Sequence, residues 1–212
     1  MLNRANRRAT IFHKPEDYVA FERILVEALE RSQLELFSYC LMPNHWHLVV
    51  RPVKNGEMSR FGQWLGLTHT QRYNAHYQTT GEGHLYQGRY KSFPIQGDDH
   101  FLLVCRYVER NAFSAELCKS PDHWKYCSLF RWRHGTAKEK SLLSKWPIQR
   151  RPNWLDWVRK PISEKEQKRL ERSILRGAPF GEEGWVRETA QEMGLTSTLR
   201  ARGRPRKQRN EL

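Results

Sequence analysis

Apolar positions recur at three- and four-residue spacing between residues 15 and 31. Tyr18, Phe21, Ile24, Leu25, Ala28 and Leu29 share one stripe, which predicts a helix, and Pro15 suits its first position. Two short apolar runs follow, Leu34–Leu41 (LELFSYCL) and His45–Arg51 (HWHLVVR). Both are rich in aromatic and branched residues and predict strands. The turn Met42-Pro43-Asn44 between them makes the strands antiparallel neighbours. Residues 58–77 predict a second helix, with Phe61, Leu65, Thr68 and Arg72 spaced for one face and Trp64 beside them. A loop at Thr79–Gly83 precedes His84–Ile95, which predicts a hairpin or a strand bent around Gly88 and ended by Pro94. Residues 99–112 predict a third helix, capped by Asp98 or Asp99, with Phe101, Val104, Cys105 and Val108 as its buried stripe.

This order of elements fits an α+β sandwich, helices packed on an antiparallel sheet. It resembles the ferredoxin-like pattern with its first strand missing. The texture changes after about residue 130. Trp132, Trp146, Trp154 and Trp157 stand among Pro, Arg and Lys and suggest an extended segment wrapping the first domain. Charged helices are expected over 163–176 and 182–193. The expected organisation is a catalytic domain over 1–130, a Trp-rich and helical extension over 131–197, and a basic tail over 198–212, expected to be disordered.

Charge changes the picture from fold to partner. Lys and Arg number 37 against 23 Asp and Glu, a net charge of +14 with a pI near 9.9. Such a field draws polyanions, and nucleic acid is the usual one. The four cysteines, Cys40, Cys105, Cys118 and Cys127, form no C-x-x-C pair and no zinc-finger spacing, as expected of reduced thiols in a cytosol. No run is long and apolar enough for a signal peptide or a membrane span, so a soluble, cytoplasmic protein with no membrane partner is expected.

In a strand, alternate side chains share a face. His45 and His47 therefore project together and Trp46 points the other way. Two imidazoles on one face make half of a metal site, although an isolated H-x-H is more often structural. Tyr107 and Asn111 lie one helical turn apart on one face. Asn offers a carbonyl oxygen to a hard cation and Tyr a hydroxyl able to form a covalent intermediate. Alone, this pair reads as a packed tyrosine and a helix-ending asparagine.

Together with these pairs, the blocks CLMPNHWHLVV, HLYQGRYKSFPI, RYVERNA and WKYCSLFRW resemble a REP-associated tyrosine transposase of the HUH superfamily. The family pattern is M-P-N-H-x-H-L, then Q-G-R-Y/F-K-x-F, then Y-V-x-x-N and a small residue. The resemblance runs from about Asn3 to the basic tail. It implies a single-stranded DNA endonuclease and strand transferase that forms a 5′-phosphotyrosine at repeated palindromes. It assigns Tyr107 as nucleophile and His45, His47 and Asn111 as ligands of Mg²⁺ or Mn²⁺, with no small-molecule cofactor. Its partners are hairpin and single-stranded DNA, its state monomer or homodimer, its place the bacterial cytoplasm. Arg89 and Lys91, and with less support Arg72, are candidate contacts to the DNA backbone. Arg202-Gly203-Arg204-Pro205-Arg206 resembles an AT-hook, in which Arg202, Arg204 and Arg206 would enter a narrow minor groove. One departure stands out: the family usually has a strand ending just before the N-R-x-N-R-R stretch, which begins here at Asn3. That points to a start upstream of Met1 or to a degenerate copy. A non-catalytic DNA-binding protein, and a metal-dependent nuclease using activated water, are the competing readings.

Overall fold

The computed structural model describes residues 1–200, so Arg202, Arg204 and Arg206 lie outside the described residues. Helix α1 spans Pro15–Glu30, with Pro15 in its first turn. The Asp17 carboxylate closes its start by accepting the backbone N–H groups of His13 and Lys14. Strands β2 (Leu34–Met42) and β3 (His45–Pro52) pair antiparallel. Their register closes on Met42 opposite His45, leaving Pro43 and Asn44 as the turn. Helix α2 spans Glu57–Tyr77, and its buried stripe is Phe61, Leu65 and His69. His69 thus replaces Arg72 on the expected apolar face, while Arg72 is exposed.

A first strand is present after all, shortened to three residues. β1 (Leu2–Arg4) pairs with β3, placing Leu2 opposite His47, Asn3 opposite Trp46 and Arg4 opposite His45. Its three residues are too few to show a period in the sequence. The segment 84–95 is not a hairpin. Residues 85–91 run singly along the other edge of β1, bridged at Tyr86 and Lys91. The Leu2 and Lys91 backbones exchange hydrogen bonds of 2.9 and 2.8 Å. The order is therefore segment 85–91, β1, β3, β2, the ferredoxin-like arrangement with its last strand reduced to a bridged segment.

Both faces of the sheet are covered, which explains why β2 and β3 read as continuous apolar runs rather than alternating ones. On one face, Leu36, Tyr39, Leu41, Trp46 and Leu48 pack against Phe21, Ile24 and Leu25 of α1 and Phe61 and Leu65 of α2. On the other, Phe37, Cys40, Met42 and Val49 meet Phe101, Val104, Cys105 and Val108 of α3 (Asp99–Ser114). Asp98 caps α3, its side chain accepting the His100 N–H at 2.8 Å. A bulge between Leu36 and Ser38 breaks the period of two in β2. It turns Ser38 to the α3 face, where its hydroxyl reaches Glu109.

Most of the C-terminal segment packs on that same α3 face, while Leu142 and Leu143 pack against the α1 side. The segment carries α4 (Ser128–His134), α5 (Ala137–Lys140), α6 (Trp154–Arg159), α7 (Glu164–Arg176), α8 (Glu183–Glu192) and α9 (Thr196–Leu199). Leu129, Trp154, Val158, Leu170 and Phe180 are buried in one core with Phe101 and Val108. Trp146 Nε1 donates to the Phe37 carbonyl at 2.8 Å, tying the segment to β2. All four cysteines are free. No helix among the described residues is long and apolar enough to cross a membrane.

Between sheet and α2, a buried chain of polar groups fixes the layers. Trp46 Nε1 donates to the Tyr86 hydroxyl at 2.9 Å, and that hydroxyl lies 2.6 Å from His69 Nδ1. Burial lowers His69 from 6.5 to about 3, so it is neutral here. The unfolded chain binds the extra proton more readily, so this contribution to stability is complete above pH 6.5 and fades as the pH falls toward 3. Between pH 8 and pH 5 the loss through His69 is about 2 kcal/mol. Urea unfolding at both pH values should show the wild-type chain losing that much more than His69→Gln; equal losses would mean that His69 is not held neutral.

Candidate active site

The H-x-H stretch is β3, and Trp46 separates its histidines by face. Trp46 is fully buried toward α1 and α2, while His45 and His47 face α3. Their ring centroids are 4.9 Å apart and nearly perpendicular. Helix α3 brings Tyr107 down on them: its ring meets His47 edge to face, 5.8 Å between centroids at 82°. Asn111 follows one turn on, and its amide Nδ2 donates to the Tyr107 carbonyl at 3.4 Å. The tyrosine and the histidine pair, 60 residues apart in the chain, are thus brought into one site.

The electrostatics suit neutral imidazoles. Burial, reinforced by the Arg4 charge, lowers His45 to about 4. Burial holds His47 well below 6.5, with His45 and Arg4 adding to the shift. His45 Nδ1 hydrogen-bonds the Asn44 side-chain oxygen; with Nδ1 as donor, Nε2 keeps its lone pair. His47 Nε2 is buried without a hydrogen-bond partner. Burial pushes the Tyr107 hydroxyl above its ordinary value. The Asn111 amide opposes this, Glu171 adds to it, and Arg4 opposes it more weakly.

Arg4 is the functional candidate that sequence reasoning missed. Directly opposed residues of an antiparallel pair share a face, so Arg4 stands beside His45 on the α3 side. Its Nε is buried without a partner. Only the register of β1 reveals this, and β1 was not expected. The C-terminal segment also reaches the site. Leu170 and Ile174 of α7 line one cavity of about 20 Å³ with Leu2, His47, Phe93 and Tyr107, room for about one water.

The other candidates lie elsewhere. Arg72 is held in a two-pronged ion pair by Glu27, at 3.0 and 2.7 Å. Arg89 and Lys91 are exposed on the segment bordering β1.

What holds Tyr107 in place is a buried carboxylate two residues further along α3. Glu109 is 1 % exposed and accepts hydrogen bonds from Ser128 (2.7 Å), Trp154 Nε1 (2.6 Å) and Ser38 (3.5 Å). Burial raises its carboxyl and the Arg150 charge opposes the rise. The Arg150 guanidinium sits 3.9 and 4.0 Å from the Trp132 and Trp146 ring centres, a cation–π clamp. Glu109→Ala strands these donors and should cost about 3–5 kcal/mol in urea unfolding; a loss below about 1 kcal/mol would show that the network holds nothing.

The family model described as IS200-like transposase matches residues 1–111. That stretch contains His45, His47 and Tyr107 and ends on Asn111. A comparison with curated proteins gives no match. Among solved structures, a REP-associated tyrosine transposase bound to a REP hairpin is similar over 61% of this chain and 74% of that one, with a TM-score of 0.51 and 16% identity. At that identity the likeness is one of fold.

Proposed function

The chain belongs to the family of IS200-like transposases, and on that premise we propose that it nicks and rejoins single-stranded DNA, with Tyr107 as nucleophile and His45, His47 and Asn111 as the ligands of a divalent ion. The observation that carries this reading is the Tyr107 ring set against His47, whose buried Nε2 has no partner.

Among the described residues no three His, Cys, Asp or Glu side chains gather to hold a metal. The donors on offer are two imidazoles and an amide carbonyl. They fit an ion that accepts both nitrogen and oxygen: both imidazoles are held neutral, and a partnerless buried Nε2 is a ligand atom without other employment. The proposed ion is Mg²⁺ or Mn²⁺, and when bound it supplies Lewis acidity toward a phosphate oxygen.

The protein's own groups do the rest. The Tyr107 oxygen attacks phosphorus, the bond to the 3′ oxygen breaks, and the products are a 5′-phosphotyrosine and a free 3′-hydroxyl. The covalent link conserves the phosphodiester bond, so a second 3′-hydroxyl can reverse the attack and join strands without a nucleotide cofactor. Burial disfavours the phenolate that attacks, and Asn111 and Arg4 work against that penalty. Arg4 also offers a positive charge beside His45 where the phosphate would lie. The proposed substrate is a repeated palindrome folded as a hairpin with single-stranded flanks, bound by a monomer or homodimer in the bacterial cytoplasm. Arg89 and Lys91 are proposed backbone contacts, and Arg202, Arg204 and Arg206 of the tail are proposed to enter a narrow minor groove.

One observation favours a second reading, a DNA-binding protein that does not cut. The cavity beside His47 and Tyr107 holds about 20 Å³, which has no room for a phosphodiester.

With an end-labelled hairpin carrying single-stranded flanks and Mn²⁺, a denaturing gel should show label at protein size. Tyr107→Phe should abolish that band, a fall of at least 10³-fold being roughly the expected scale for a lost nucleophile, while hairpin affinity stays within about twofold. Cleavage that survives in Tyr107→Phe would instead indicate activated water. His45→Ala and His47→Ala should each lower adduct formation by about 10- to 100-fold, partly rescued by raising Mn²⁺; unchanged adduct yield would remove the histidines from the site.

A further inference from the structure

The turn between β2 and β3 is wrapped by the segment that joins β1 to α1. The Ala5 N–H donates to the Asn44 carbonyl at 2.9 Å. The Ile11 and Phe12 N–H groups both donate to the Pro43 carbonyl, at 2.8 and 3.1 Å. Between these anchors the chain bends sharply at Arg7 and Arg8, whose side chains are exposed. Both residues lie in the left-handed region, at φ 52° and 58°, which a residue with a Cβ adopts at a cost. Strained backbone of this kind persists where its surroundings over-determine it, and it gathers at functional sites.

The bend places one carbonyl. The Arg8 oxygen accepts from Asn44 Nδ2 at 3.2 Å. A carbonyl oxygen has no proton to give, so only the NH₂ end of the Asn44 amide can face it. The other end, Oδ1, is thereby turned to His45 Nδ1, 2.5 Å away. An amide oxygen can only accept, so the proton between them belongs to Nδ1. A neutral imidazole carries one N–H; with it on Nδ1, the lone pair is left on Nε2.

In water a neutral histidine side chain favours the opposite tautomer, with its proton on Nε2. The chain therefore works against an intrinsic preference at His45. A ring nitrogen can bind a cation only through a lone pair, and ligating histidines are oriented through the hydrogen bond of their other nitrogen. Here the orienting group is the residue immediately before the ligand, and its own orientation is set from β1's side of the sheet.

We propose that Asn44 is a positioning residue: held one way round by the left-handed turn at Arg7 and Arg8, its amide fixes His45 in the Nδ1–H tautomer and presents Nε2 to the ion. The inference rests on the metal-binding reading proposed above. The backbone carbonyl of Arg8 does the holding, and its guanidinium group takes no part. Asn44 lies half-buried in a turn and its φ is not left-handed, so Asn44→Ala removes the amide from a folded protein.

The test reads the tautomer in the metal-free full chain, by long-range proton–nitrogen correlation of the histidine rings at neutral pH, with His45→Gln to identify the signals. Wild-type His45 should carry its proton on Nδ1. Asn44→Ala should move the proton to Nε2 in most molecules. It should also weaken Mn²⁺ binding by about 10- to 100-fold, followed by the electron spin resonance of the free ion. Asn44→Asp, which still accepts from Nδ1, should keep the proton there. Replacing Arg7 and Arg8 together by glycine, which takes the left-handed region freely, should leave the tautomer unchanged; its loss there would overturn the role of the turn. A wild-type His45 protonated on Nε2, or a tautomer and Mn²⁺ affinity unmoved in Asn44→Ala, would overturn the assignment of Asn44. The expected tautomer change in a chain whose Mn²⁺ binding is absent, or is indifferent to His45→Ala and His47→Ala, would instead bring down the metal-binding reading.

Discussion

The carboxylate of Glu109 is the point on which the functional half of the molecule turns. It is buried on α3 two residues from Tyr107 and takes hydrogen bonds from β2, α4 and α6 at once. An ionisable group in that position is costly unless every lone pair is answered. Ser38, Ser128, Trp154 and the nearby Arg150 charge answer it. Because these partners come from separate parts of the chain, satisfying them fixes the roll of α3 on the sheet. That roll sets the Tyr107 ring against His47. The bulge in β2 belongs to the same device, since without it Ser38 would face α1.

The two faces of the sheet divide the work. The α1 and α2 side is closed by apolar packing and the Trp46–Tyr86–His69 chain, and it holds β3 rigidly from behind. The α3 side presents His45 and His47, with Arg4 beside them from β1. Both imidazoles are held neutral and one Nε2 is left without a partner, the state that the proposed metal-binding role would use. From the same side, Leu170 and Ile174 of α7 line the small cavity beside His47 and Tyr107.

Much of this was legible in the sequence. Helices α1, α2, α3 and α7 and strands β2 and β3 fall within a few residues of the periodic stretches that predict them, because each buries a regular face. The pairing of His45 with His47 followed from the strand period alone. That Tyr107 stands over them did not, since no local pattern encodes which helix face meets which strand 60 residues away; there the resemblance to known transposases supplied the link. The short helices α4, α5 and α6 have 7, 4 and 6 residues, too few for a period to emerge. β1 was hidden for the same reason, and with it the place of Arg4. Arg72 was expected on one face with Phe61 and Leu65, but the buried stripe continues through His69, and Arg72 faces outward to Glu27.

The most direct test of the central claim is peptide mass spectrometry after incubating the chain with Mn²⁺ and a hairpin whose flank carries a cut-trapping nick, so that any covalent product accumulates. The account predicts one nucleotide-bearing peptide, containing residues 107–110, with the added phosphate on the Tyr107 oxygen. An adduct on a different tyrosine, or cleaved DNA with no adduct on any residue, would contradict it.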